Sequence, residues 1–250
     1  MTLNVGLEVH VDGTTPRGRP APATRRDDVA NRIKEYILSA GLRPGDLLPT
    51  EAELCDALGA SRSSVREAVR ALATLDIVKV RHGHGTFVGD MSLDALVQSL
   101  VFRGSLSTGD ELQALRDVVE VRLALDLAMA DRIVASLVGT TNPDLHALVA
   151  EMTSAAAAGL TFPREDRAFH TGLVSRLDNA LVGQLVAAFW DVHTAVVPRL
   201  GVAVAADLDQ TARAHGAMLE AAEAGDVESF RAAVHSHYEP IHRALQTKSR

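Results

Sequence analysis

Cysteine is nearly absent from this 250-residue chain. The single one, Cys55, rules out an internal disulfide and fits a reducing compartment. No apolar run approaches the ~20 residues that a bilayer-spanning helix requires. The first eleven residues also lack the basic-then-apolar pattern of a secretory signal. These absences exclude a membrane location and a disulfide-framed secreted domain, so a cytoplasmic protein is expected. Positive charge is short as well, since 25 Lys and Arg face 32 Asp and Glu for a net of −7. That balance argues against a polyanionic partner only until it is divided along the chain. Residues 25–88 carry ten basic and nine acidic residues, a net of +1, and residues 89–250 carry thirteen against twenty-one, a net of −8. Only the field at a recognition surface has to be positive. A nucleic-acid contact in the first part is therefore allowed, with weak non-specific binding that falls steeply with salt.

What is present begins with residues 48–88. Leu54 and Leu58 stand at i, i+4 after Glu51, and Gly59 supplies a stop. Ser61 is an N-cap residue type, and Val65, Val69 and Leu72 then repeat at helical spacing. Helix, short glycine turn and helix make a helix-turn-helix. With the apolar residues inward, Arg62, Ser63, Ser64, Arg66 and Arg70 are left for the outer face or its flanks. Arginine grips guanine edges with two hydrogen bonds, and serine hydroxyls suit phosphates or bases. An ordinary solvated helix would show the same face. Residues 77–81 and 86–88 read as strands around a glycine-rich loop, however, which turns the motif into a winged helix with His82, Gly83 and His84 at the wing tip.

Three motifs in order, Leu48-Pro49-Thr50-Glu51, Ser61-Arg62-Ser63-Ser64-Val65-Arg66-Glu67-Ala68 and His82-Gly83-His84-Gly85-Thr86-Phe87-Val88, resemble the GntR family of bacterial transcription regulators. The resemblance implies that Arg62 and Arg66 read the major groove of a double-stranded operator. It implies too that Ser63 and Ser64 lie at the DNA, Ser64 on its backbone, and that His82 with Gly83 enters the minor groove. Many family members carry arginine where Ala52 stands here, which implies one contact fewer.

Flanking this core, residues 1–23 hold Gly13, Pro16, Gly18 and Pro20 and no sustained period, the pattern of a disordered tail. Val29, Ile33 and Ile37 mark a first amphipathic helix, so the DNA-binding domain is expected over 24–89. Residues 90–107 form a linker with a short apolar helix around Leu93, Leu96, Val97 and Leu100. From 108 to 247 only helical patterns appear. A long helix starts at Asp110 with Leu112, Leu115, Val119, Leu123, Leu127, Ala130 and Val134 on one stripe, followed by helices over 143–158, 163–177, 179–200, 206–224 and 227–245. Gly201 and Gly225 fall at breaks. The fold class is mainly α, a winged domain followed by an antiparallel bundle.

Polar residues sit on apolar faces of that bundle. Asp166 and His170, one turn apart, share a stripe with Leu173 and Leu177. His215 lies with Leu208, Ala212 and Met218, and His237 with Phe230, Val234 and Ile241, whereas His235 points elsewhere. One such histidine is an ordinary core residue, but a carboxylate and three imidazoles in one core are costly unless hydrogen-bonded or metal-bound. Their order resembles the FCD ligand-binding domain of FadR-type GntR regulators. That resemblance implies a divalent metal on Asp166, His170, His215 and His237, with zinc or nickel suited to three nitrogens and one oxygen. Arg116, on the apolar stripe of the first bundle helix, needs an anionic partner, either Glu120 or another internal carboxylate, or the carboxylate of an effector. Asn179 orients the effector or caps a helix, and His146, His193 and His242 are read as surface or packing residues. The expected protein is a homodimeric repressor that binds a pseudo-palindromic operator under control of a small organic acid, and not an enzyme. The alternatives are a metal-dependent hydrolase and a regulator whose metal is only structural.

Overall fold

The computed structural model of the protein describes residues 25–106, 112–200 and 207–247. The tail at 1–23, the helix start at Asp110 and Gly201 lie outside the described residues. The described chain falls into two compact units: residues before Thr74 together with 79–88, and residues 74–78 together with everything from Gly89 on.

The first unit holds α1 (Arg25–Ser39), α2 (Glu51–Leu58), α3 (Arg62–Thr74) and the hairpin of β1 (Val78–Arg81) and β2 (Gly85–Val88). Val29, Ile33 and Ile37 on α1, Leu54 and Leu58 on α2 and Val65, Ala68, Val69 and Leu72 on α3 are all buried, so each helix turns one stripe toward a shared core. A capping box starts α2: the Glu53 amide donates to the Thr50 hydroxyl at 3.4 Å, and the Thr50 amide donates to the Glu53 carboxylate at 2.8 Å. That bond to the Thr50 backbone, then the one to its hydroxyl, holds the Glu53 carboxyl below its ordinary range. Gly59 closes the helix in the left-handed region, at φ 55°, where a side chain would be strained. The Ser64 amide then donates to the Ser61 hydroxyl at 3.2 Å, which starts α3.

The second unit holds α4 (Asp94–Leu106), α5 (Gln113–Leu137), α6 (Pro143–Ala157), α7 (Pro163–Val174), α8 (Ala180–Leu200), α9 (Leu208–Ala224) and α10 (Val227–Thr247). The linker segment is thus a helix of 13 residues, and it packs against α8 and α5. α10 lies between α9 and α5, α6 packs on both α7 and α9, and α8 touches α5 and α7. Gly172 on α7 permits that closeness, because a Cβ there would stand 2.8 Å from a Leu145 methyl group on α6. Pro240 interrupts α10 without ending it. Proline has no N–H to offer the carbonyl four residues earlier, and Gln210 on α9 supplies the donor instead, 3.3 Å from the Ser236 oxygen.

The buried face of α5 differs from the expected stripe. Leu115, Val119, Arg122, Asp126, Ala130, Ile133 and Leu137 are buried, while Leu123 and Leu127 are only half-buried. The helix turns two charged residues inward at positions where the sequence offered leucines beside them. Replacing Thr50 with Ala, which removes the α2 capping box, is expected to cost about 1 kcal/mol, read as a lower urea midpoint in far-UV circular dichroism.

Candidate functional site

Three helices of the second unit bring Asp166 and His170 of α7, His215 of α9 and His237 of α10 to one point. Each offers a ligand atom, and those atoms all lie within 4.8 Å of one another. None of the four residues is more than 8% exposed. His235, two positions before His237, is exposed, because α10 turns it away.

The protonation pattern shows what this site demands. Nδ1 of His215 lies 2.7 Å from the Thr211 carbonyl oxygen, which can only accept, so this nitrogen carries the N–H. Nε2 lies 2.8 Å from Oδ1 of Asp166. A neutral His215 would aim a lone pair at a carboxylate, so a positive charge must stand there, either a second proton or a cation. Two further buried ring nitrogens, Nε2 of His170 and Nδ1 of His237, have no hydrogen-bond partner. Such orphaned atoms are rare in native interiors because their desolvation goes uncompensated. One divalent ion among the four donors would satisfy the lone pairs and the carboxylate together, so the residues fit a metal.

Burial acts to raise the Asp166 carboxyl, but the charge and hydrogen bond of His215, with His237 and His170, outweigh it and hold the group well below the carboxylate range. Burial, then repulsion from His215, keeps His237 far below its ordinary value. Both shifts favour the forms that ligate metal, an ionised carboxylate and a neutral imidazole.

Around the four stand residues that periodicity did not single out. Oδ2 of Asp126 on α5 lies 3.4 Å from Nδ1 of His170 and accepts from the Tyr238 hydroxyl at 2.7 Å. The carboxylate directs the N–H of His170 to Nδ1 and leaves Nε2 for the cluster, the usual way an outer carboxylate orients a ligating imidazole. Burial acts to raise Asp126 also, and the attraction of His170 outweighs it. Burial pushes the Tyr238 hydroxyl up, so it stays a donor. Arg122, one turn before Asp126, stacks on Trp190 with its guanidinium carbon 3.9 Å from the ring centroid. A signal existed in the sequence: Arg122 and Asp126 continue the spacing of Leu115 and Val119 as well as Leu123 and Leu127 do.

Arg116 and Asn179 are not brought to this cluster. Arg116 lies six residues before Arg122, about 9 Å of helix rise away, and donates to the Gln113 side chain and the Leu245 carbonyl oxygen. Asn179 is exposed in the turn before α8. Arg122 is the arginine beside the metal-ligand candidates because the inward face of α5 passes through 122 rather than 123. Of the remaining histidines, His146 pairs with Glu223 at 2.9 Å and His242 lies in a surface groove with Glu239 and Arg243, whereas His193 stands against Trp190.

In the first unit, Arg62, Ser63, Arg66 and Arg70 of α3 are exposed, and Ser64 is half-buried with its hydroxyl 2.9 Å from that of Ser61. Nε of Arg66 donates to Glu51 at 2.8 Å, an exposed pair of little net strength. His82 and Gly83 are exposed at the hairpin tip, with Gly83 at φ 78°.

Residues 25–88 match the model of the bacterial regulatory proteins of the gntR family, and residues 117–240 match that of the FCD domain. The chain belongs to the gntR family of bacterial regulatory proteins. A relative in Micromonospora viridifaciens, the putative transcriptional regulatory protein NedR, is 41% identical over 102 residues, covering 41% of this chain and 73% of NedR. The putative L-lactate dehydrogenase operon regulatory protein of Escherichia coli K12 is 26% identical over 228 residues, 90% of this chain and 88% of that protein. A solved GntR structure from Streptococcus agalactiae aligns with a TM-score of 0.63 at 27% identity, covering 87% of this chain and 99% of that one. A regulator of this family is a ligand-responsive DNA-binding protein, and the hydrolase alternative finds no support among these relatives. No helix of the described residues is long and apolar enough to cross a membrane.

Purified protein should carry about one divalent ion per chain by elemental analysis, lost in His215→Ala and His237→Ala and kept in His235→Ala. Asp126→Asn should weaken metal affinity by roughly 10–100-fold while all four ligands remain. Equal metal loss for His235 and His237 would refute the face assignment.

Proposed function

We propose that this regulator is a cytoplasmic homodimeric repressor that binds a pseudo-palindromic operator through residues 24–89. A small organic acid, held at a metal centre in residues 108–247, controls it. The observation that carries this reading is the buried charge pattern around Asp166. With the three imidazoles neutral, Asp126, Asp166 and Arg122 leave a net −1 in the interior. A divalent ion makes that +1, and a monoanionic carboxylate returns it to zero, which buried sites favour. Three nitrogens and one oxygen suit zinc, with nickel second. The metal supplies a Lewis-acidic anchor for one carboxylate oxygen. Arg122 supplies a fixed cation, oriented by its stack on Trp190. It takes the role that Arg116 and Asn179 were expected to play. The name of the E. coli relative, which refers to an L-lactate dehydrogenase operon, supports an effector of this size and charge.

On the DNA side, Arg62 and Arg66 read base edges, Ser63 and Ser64 hold phosphates, and His82 with Gly83 follows the minor groove. The Arg66–Glu51 pair is exposed, so exchanging it for a guanine edge costs little. Replacing Arg62 or Arg66 with Ala should remove about 1–3 kcal/mol of operator preference at fixed salt without changing the far-UV spectrum. Full preference in both variants by gel shift would refute the assignment.

Effector control is tested by calorimetry with carboxylates on metal-loaded and chelated protein. Chelation should abolish effector binding and leave operator binding, and Arg122→Ala should weaken the effector without releasing metal. An effector that weakens operator binding tenfold must itself bind the operator complex tenfold more weakly. Equal effector binding to both forms would make the metal structural.

A further inference from the structure

Trp190 on α8 gathers a buried cation and two imidazoles. The guanidinium of Arg122 stacks on its indole, and the rings of His170 and His193 lie 5.6 Å and 5.1 Å from it between centroids. His193 follows Trp190 by one turn on the face of Val182, Val186 and Trp190, and is half-buried there. Its Nδ1 is shielded from solvent and has no hydrogen-bond partner. Arg122 is 5% exposed and donates no hydrogen bond to a described residue. Packing alone does not explain a ring nitrogen left so, because an unmet buried hydrogen bond costs stability.

The two groups differ in kind. Arg122 is a permanent cation. Burial, with repulsion from Arg122 and against the pull of Asp166, pushes His193 down to about 3, so its ring is neutral and presents one N–H and one lone pair. A neutral imidazole does not balance a second carboxylate. It does match a hydroxyl, which both donates and accepts, or a keto oxygen, which accepts.

We infer that His193 is a specificity-determining residue of the effector site, which pairs with a neutral hydroxyl or keto substituent of a monocarboxylate whose charge meets Arg122. This rests on the carboxylate-effector reading above and narrows it to hydroxy and keto monoacids, against plain and dicarboxylic acids. A hydroxyl on the effector could also reach the metal, so the decisive quantity is how the preference changes when only His193 changes.

The test is calorimetry on the metal-loaded full-length protein with lactate, pyruvate, propionate and malonate. The wild-type chain should bind lactate or pyruvate roughly tenfold or more tightly than propionate, the scale of one buried hydrogen bond. Malonate should bind no better than propionate. In His193→Phe that ratio should fall toward one, with propionate affinity and metal content kept. In His193→Gln, which restores a neutral donor and acceptor, much of the ratio should persist. An unchanged ratio in His193→Phe overturns the inference, as does a wild-type preference for malonate or propionate. If none of the four acids binds the metal-loaded wild type, the carboxylate reading fails and this inference with it, an outcome distinct from binding without selectivity.

Discussion

An ionised carboxylate with almost no access to water is the constraint around which the second unit is arranged. Asp166 faces Nε2 of His215 at 2.8 Å, while the Thr211 carbonyl claims the opposite ring nitrogen. The helical backbone of α9 therefore forces a positive charge onto the line between Asp166 and His215. Every further polar group nearby is placed in relation to that demand. His170 and His237 aim unpartnered nitrogens at it, Asp126 orients His170, and Tyr238 satisfies Asp126. Removing any member would strand its neighbour in a medium where unpaired polar atoms are costly.

Rigid support for this arrangement comes from the apolar bundle. Phe169 packs edge-on against His215 at 4.9 Å between centroids, and Trp190 backs both His170 and Arg122. Aromatic walls exclude water, which strengthens each electrostatic contact inside. They also fix ring orientations to a degree that a flexible aliphatic lining would not. The four metal-ligand candidates stand on helices rather than loops, and one of those helices, α7, meets α6 through the close contact of Gly172 with Leu145.

The first unit has a different economy. Its core is small and its organisation local: a capping box, a left-handed glycine and a serine cap define two helices within some 25 residues. Its candidate binding groups on α3 are largely exposed, and the Arg66–Glu51 ion pair, exposed as well, has little net strength. The polar groups of that unit are presented on a short exposed helix, whereas in the second unit the charged groups around Asp166 are buried.

The winged unit was legible in the sequence because its signals are local. Gly59, Ser61 and the Val65–Val69–Leu72 spacing act within a few residues of the structure they specify. The four metal-ligand candidates were legible for a related reason, since each sits on an apolar stripe whose period identifies the inward face. That argument also separates His237 from His235. It failed on α5, where Leu123 and Leu127 lie beside Arg122 and Asp126, so apolar periodicity favoured the leucines and moved attention to Arg116. Only the tertiary structure could rotate that helix, because the rotation is set by what α5 meets: His170 and Tyr238 for Asp126, and Trp190 for Arg122. His193 offers less to sequence reasoning for the same reason. Periodicity alone does not show that the fold seats it against Trp190, on which Arg122 also stacks, and leaves its Nδ1 without a partner.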